Sequence, residues 1–347
     1  MMKAAQQASV KRGDFPGMSE QRSEGPASGR RVEVSTLGEA MLRLSPPSGE
    51  RLRDCGQLRV HVGGAEANVA VALASVGVSA RWTSVLPDTV LGRRVADSLA
   101  SAGVVLDTVR WTAGERLGLY FAEIGSPPRP TSVLYDRAGT AFGSLQADHL
   151  DWAAVCEARI IHLTGITAAL APGSDALVLR TAREGRRRGA LVVYDVNYRA
   201  ALSSPEKAAS FTAEVASDID VLICRAEDAR DLFGLAGDPP TLADDLAKRL
   251  GVGRVVVTAG ADGAVARWDG ESLAAPALPT VAVDRIGAGD AFAAGVLWGV
   301  LDGSPEDALR RGTAMASLAM SVQGDQCRFS AEEVLELARG AGREVRR

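Results

Sequence analysis

The chain has 347 residues, 46% of them hydrophobic, and a mean hydropathy of +0.04, a composition able to bury the core of one large α/β domain. Its 39 basic and 43 acidic residues leave a formal charge of −4 with no long basic run, which argues against nucleic acid or an anionic membrane as a partner. Cys55, Cys156, Cys224 and Cys327 form no CxxC pair, and His61, His149 and His162 stand apart, which argues against a resident metal or redox centre and suits reduced thiols in a cytosol.

Residues 1–30 are rich in Gln, Ser, Gly, Lys, Arg and Glu, carry too few apolar side chains to offset their ordering entropy, and are expected to form a disordered tail. They lack the apolar core of a secretory signal, and no stretch of the chain is apolar for long enough to cross a bilayer, so a soluble cytoplasmic protein is expected.

Order is predicted from Arg31, with a short strand through Val32, Val34, Thr36 and Leu37. Short strands and turns are predicted to follow, from Met41 to Val62. Gly63-Gly64-Ala65-Glu66-Ala67-Asn68 then opens an apolar, alanine-rich helix beginning Val69-Ala70-Val71. A second stranded block is predicted at Leu117–Ile124 and Val133–Tyr135, around a turn holding Pro127, Pro128 and Pro130, and the two blocks can pair into one small sheet.

From about residue 158 apolar strands recur about thirty residues apart, at Ile160–Leu163, Leu191–Tyr194, Val221–Cys224 and Arg254–Val257, with helical patterns such as Asp175–Arg188 between them. That spacing predicts βαβ crossovers and a largely parallel sheet with helices on both faces, whose ligands gather at the carboxyl ends of its strands. Those ends are polar: Gly165 and Thr167, then Asp195, Asn197, Tyr198 and Arg199, then Arg225, Glu227 and Asp228, then Thr258, Gly260 and Gly263. No GxGxxG turn follows the first strand, so a dinucleotide-binding Rossmann domain is not indicated.

The densest signal is Val283-Asp284-Arg285-Ile286-Gly287-Ala288-Gly289-Asp290-Ala291-Phe292, a glycine loop that opens a helix apolar on nearly every side. Such a helix is buried whole, so its unpaired first amides and positive dipole end enter the interior and invite an anion at Gly287, Ala288 and Gly289. Asp290 is open to two readings, a helix cap or a general base beside a phosphoryl group.

The run Asp284–Asp290 resembles the signature of the PfkB, or ribokinase-like, carbohydrate kinases, whose GAGD tetrad supplies the anion hole and the catalytic base. Gly63, Gly64 and Asn68 match that family's GGxxxN motif, which approaches the sugar. The resemblance spans residues 31–340, between the tail and a short C-terminal extension at 341–347, and implies a ribokinase-like α/β fold in which the strands near 40–62 and 115–140 form a lid. It is nearest to 2-keto-3-deoxygluconate kinases, through GGAEAN at Gly63–Asn68, LTGITAAL at Leu163–Leu170 and DVNYR at Asp195–Arg199.

The resemblance implies Mg2+-assisted transfer from ATP to a small sugar or sugar acid, 2-keto-3-deoxygluconate foremost, with Asp290 as base. A fructokinase, ribokinase or nucleoside kinase, or an inactive sugar- or nucleotide-binding regulator, would share the frame. Tyr120, Tyr135, Arg137, Arg199 and Asp325 are implied at the substrate, and Asn197, Thr258, Gly260 and Gly263 at the nucleotide. Arg225 stands where the family's NxxE motif has asparagine, with Asp228 implied to act on magnesium through water. Arg137 and Arg199 are also the cations placed to receive a sugar-acid carboxylate. Association of copies through the lid is a further expectation.

Overall fold

Neighbouring apolar residues in the later strands feed opposite faces. Ile160, Val193, Ile223 and Val256 join one buried cluster, while Ile161, Val192, Leu222 and Val255 join another. A period of two with both sides apolar is what a sheet covered on both faces requires. The computed structural model describes residues 31–125 and 128–340; the two expected tails and Pro127 of the turn lie outside the described residues.

In chain order the described strands are β1 (Val32–Leu37), β2 (Met41–Ser45), β3 (Arg59–Gly63), β4 (Ala80–Thr83), β5 (Val85–Pro87), β6 (Arg110–Thr112), β7 (Gly118–Glu123), β8 (Ser132–Asp136), β9 (Ala158–Thr164), β10 (Leu191–Asp195), β11 (Val221–Arg225), β12 (Arg254–Thr258), β13 (Ala264–Trp268) and β14 (Glu271–Ala275). The main sheet runs β14-β13-β12-β11-β10-β9-β1-β4. It is parallel from β4 to β12, and β13 and β14 close its edge as an antiparallel meander. The sequence does not announce that meander, which begins directly after Gly263, one of the residues expected at the nucleotide. Gly263, at φ 89°, turns the chain from the end of β12 into β13, and a Cβ there would lie 2.2 Å from the Ala275 carbonyl oxygen.

The two early stranded blocks do pair, as β3-β2-β7-β8, with β2 parallel to β7 and the outer pairs antiparallel. Burial alternates along β7, where Gly118, Tyr120 and Ala122 are buried, whereas β2 is buried at Met41, Leu42, Arg43 and Ser45 and β8 is exposed throughout. Met41, Tyr120 and Ala122 pack with Ile286, next to the GAGD loop. Leu58, Val60, Val133 and Leu134 are exposed.

The helices Ala65–Ser75 and Ala288–Leu301 lie against one face of the main sheet and against each other. Residues 290–297 of the second are all buried, as its lack of a polar stripe demands. Gly299 permits close approach of the next helix, Pro305–Met320, because a Cβ there would sit 2.3 Å from the Ala308 Cα. The four cysteines are unpaired; burial pushes the thiols of Cys156 and Cys327 up to about 12 and that of Cys224 well above the usual thiol value, whereas Cys55 lies half-buried on the connection between β2 and β3.

His162 of β9 is fully buried, and neither ring nitrogen has a hydrogen-bond partner among the described residues. Burial lowers its pKa from 6.5 to about 4, so the fold favours neutral imidazole. The stabilisation is complete above pH 6.5 and is lost as pH falls toward 4, by about 3 kcal/mol at the bottom of that window. His162→Leu should therefore gain on the parent in melting temperature as pH is lowered from 7 to 5. Comparing the two proteins cancels the contribution of every other titrating group. A difference that stays constant with pH would refute the assignment.

Candidate active site

Gly287 caps the helix Ala288–Leu301 in the left-handed region, at φ 89°, and a Cβ on it would lie 2.6 Å from the Asp325 carbonyl oxygen. Only glycine meets both constraints. Of the first-turn amides that follow, that of Ala288 donates to the Arg285 carbonyl at 3.4 Å and the others have no acceptor one turn back within the helix, with the dipole's positive end behind them. Asp290 is the third residue of this helix but makes no capping bond. Its Oδ2 instead accepts from Asn68 Nδ2 at 2.7 Å, across 222 residues of sequence, and the neighbouring Asn197 also favours its charged form. The cap reading of Asp290 is thereby set aside. Asn68 Oδ1 is buried without a partner among the described residues, an acceptor beside Asp290 suited to a hydroxyl.

Asn197 adopts φ 39°, a left-handed conformation rare for residues other than glycine, and its amide is tied to Asp195 Oδ1 at 3.1 Å. Holding a side chain in a strained backbone conformation needs surrounding support, here the end of β10. The effect is to aim Asn197 at Asp290.

Three buried carboxyls collect here with little cationic relief. Burial raises Glu66 from 4.5 to about 7, although Thr164 and Thr167 donate to its Oε1 at 2.7 and 2.5 Å. Burial, reinforced by Asp290, raises Asp195 from 3.8 to about 7. Asp290 rises to about 6, again by burial, with Asn68 and Arg199 opposing. A carboxyl with a pKa near 6 is ionised at neutral pH yet basic enough to accept a proton.

The other expected residues fall into three groups. Gly63, Tyr120 and Asp325 converge: a Cβ on Gly63 would lie 2.6 Å from both Tyr120 Oη and Asp325 Oδ2, and the Tyr120 hydroxyl donates to Asp325. Gly64 serves packing, since a Cβ there would lie 2.3 Å from the Glu39 carbonyl oxygen. Tyr135 stacks 5.7 Å from Tyr120, and Arg137 lies over Tyr135 at 5.4 Å. Arg199 directs Nη1 to the carbonyls of Tyr198 and Asn197, at 2.9 and 3.4 Å, and forms no ion pair among the described residues. Thr258, Gly260 and Gly263 lie past the end of β12, two strands and about 10 Å from β10.

Two expectations change. Arg137, expected to reach substrate, is committed to Glu39 at 2.5 Å, with Thr140 donating to the same carboxylate. Asp228, expected to act on magnesium, is gripped by both arms of Arg225, at 2.9 and 2.5 Å. In each case a buried carboxylate takes the nearest guanidinium, because an unpaired buried charge is costly. Sequence reading also passed over Arg43, Glu39 and Glu66. The available signal was a charged residue at an inward position of an otherwise apolar run, as in Met41-Leu42-Arg43-Leu44.

The description "pfkB family carbohydrate kinase" matches residues 32–331. The chain belongs to this family. It is 42% identical over 313 residues to a 2-dehydro-3-deoxygalactonokinase of Haloferax volcanii, covering 89% of this chain and 97% of the relative. It is 31% identical over 299 residues to a 2-dehydro-3-deoxygluconokinase of Thermoproteus tenax, covering 85% and 90%. The crystal structure of a 2-dehydro-3-deoxygluconokinase from Thermotoga maritima superposes with a TM-score of 0.84 at 31% identity, covering 90% of this chain and 100% of that one. The fold is therefore ribokinase-like, and as a pfkB-family member the protein is an ATP-dependent carbohydrate kinase.

With Asp290 acting as the base, kcat/KM would rise with pH through a midpoint near 6 and then level off, because the carboxyl would act only when ionised. Asn68→Ala removes a bond to the charged form and should move that limb to higher pH. An unshifted limb would show that Asn68 does not tune the titrating group.

Proposed function

We propose that the protein phosphorylates a 2-keto-3-deoxy sugar acid, 2-keto-3-deoxygluconate or its C4 epimer, at the expense of ATP. The observation that carries this is Arg199, a cation whose charge reaches Asp290 and Asp195 but which forms no ion pair with a carboxylate among the described residues. A planar guanidinium with open donors suits a substrate carboxylate. Arg137, tied to Glu39, is the weaker candidate. The names of the Haloferax and Thermoproteus relatives point to the same class.

In this reading the sugar lies between the small sheet and the Gly63–Asn68 turn, with a hydroxyl near Asp290 Oδ2. Asp290 takes the hydroxyl proton as the oxygen attacks the γ-phosphorus in line, and the bond to the departing ADP oxygen breaks. The Gly287–Gly289 amides receive the charge on the moving phosphoryl group. The triphosphate runs along the ends of β11 and β12 past Thr258 and Gly260. Among the described residues no three acids or histidines stand so that they could hold one metal ion together, and Asp228 is paired with Arg225, so Mg2+ brought with ATP would be held here through water and would supply charge neutralisation.

Cytoplasmic residence accords with the four unpaired cysteines, and the exposed Leu134, Val60 and Leu58 of the small sheet suit contact with a second copy.

Two measurements test the reading. ADP release should be faster per unit substrate on the two keto-deoxy acids than on fructose or ribose, and Arg199→Ala should lower kcat/KM about ten- to a hundredfold on acids alone. A preference for neutral sugars, or an equal loss on both classes, removes the carboxylate assignment. Asp290→Asn should bind ATP normally while turnover drops by about two to four orders of magnitude. Retained turnover would remove the base.

A further inference from the structure

Arg43 is fully buried on a strand of the small sheet, and its three polar nitrogens are all used. Nε donates to Ser45 Oγ at 2.8 Å, Nη1 to Asp325 Oδ1 at 3.0 Å, and Nη2 to Asp284 Oδ2 at 2.6 Å, contacts reaching across 282 and 241 residues of sequence for the two carboxylates. Those carboxylates are not surface acids. Asp284 is buried and accepts the amides of Ile286 and Gly324, at 3.1 and 3.2 Å, so it shapes the loop that leads into Gly287. Asp325 also accepts from Tyr120, and its backbone presses on Gly287. From β2, hydrogen bonds thus reach Asp284 and Asp325, the first bound to the amide next to Gly287 and the second lying against Gly287.

We propose that Arg43 is a positioning residue for phosphoryl transfer: its fork holds Asp284 and Asp325 at a fixed separation and so sets the Gly287–Gly289 amides against the transferring group only when the small sheet is seated. The inference rests on the assignment of those amides as the anion hole. Arg43 touches neither substrate nor nucleotide in this arrangement. Its requirement is geometric, since two carboxylates that face one point repel each other and separate without a cation whose donors diverge toward both. Displacing the loop by as little as about 1 Å is enough to weaken catalysis a hundredfold while leaving ground-state binding nearly intact.

Charge gives a second signature. The groups facing Arg43 are His61 from β3, Tyr120 from β7, and Asp284 and Asp325. Those facing Asp290 are Asn68 and Glu66 from the first buried helix, Asp195, Asn197 and Arg199 from the end of β10, and Asp325 with Cys327 from the late loop. Asp325 raises the Asp290 carboxyl, and Arg43 in turn neutralises Asp325. Without the guanidinium the acid limb of the pH profile moves upward.

The test compares Arg43→Lys and Arg43→Met in the full chain. Arg43→Lys keeps the charge but engages one carboxylate, and is expected to fold, to lose about ten- to a hundredfold in kcat with both KM values within about twofold, and to keep the acid limb in place. Arg43→Met should lose at least as much and shift the limb to higher pH. Wild-type kcat in Arg43→Lys overturns the proposal, and this variant decides alone where Arg43→Met does not fold. Asp290→Asn measured in parallel separates the two levels. Near-normal turnover there defeats the site assignment itself, whereas an inactive Asp290→Asn beside a fully active Arg43→Lys defeats only the role of Arg43.

Discussion

Burying the helix Ala288–Leu301 on all sides carries its amino terminus, with several unpaired amides, into the interior, and the neighbourhood has to answer that concentration of positive potential. Carboxylates supply the answer. Asp290 sits in the first turn, Glu66 and Asp195 stand nearby, and Asp284 and Asp325 brace the loop before it. Burial in a dry space, reinforced by their mutual repulsion, is why Glu66, Asp195, Asp290 and Asp325 hold raised pKa values and why the arginines present are used sparingly. Arg43 is spent on the supporting pair, and Arg199 is left facing the cleft.

The parallel sheet divides the work along its edge. β1, β9 and β10 end at the residues around Asp290, while β11 and β12 end at Arg225 and Thr258, farther out along the strand order. The small sheet stands beside the β1 end of that edge, because β2 leaves the main sheet directly after β1 and β3 returns the chain to Gly63. Chain order alone therefore delivers Glu39, Arg43 and Gly63 to one place.

How much of this could be read from residues depended on range. Periodic apolar runs report local structure, so the strands from Ala158 to Thr258 and both buried helices were legible, as was the glycine loop that marks the anion hole. The β13–β14 meander was not, since Ala264–Trp268 and Glu271–Ala275 are short, weakly apolar and mixed with charge. Pairings were the least legible. Nothing near Arg137 announces Glu39, 98 residues earlier, and nothing in the Met41–Ser45 run names Asp284 or Asp325. A buried charge advertises that it has a partner, but its choice is settled only when distant segments meet.

The distribution of the cysteines has a practical corollary. Three thiols are sealed in the core and held protonated far above neutral pH, so thiol-directed reagents meet only Cys55 at ordinary rates. Cys55 lies on the connection between β2 and β3, beside the small sheet. The unaltered protein thus carries a single chemically addressable handle next to that sheet, and a fluorophore or spin label attached there would report on its surroundings without any engineered residue.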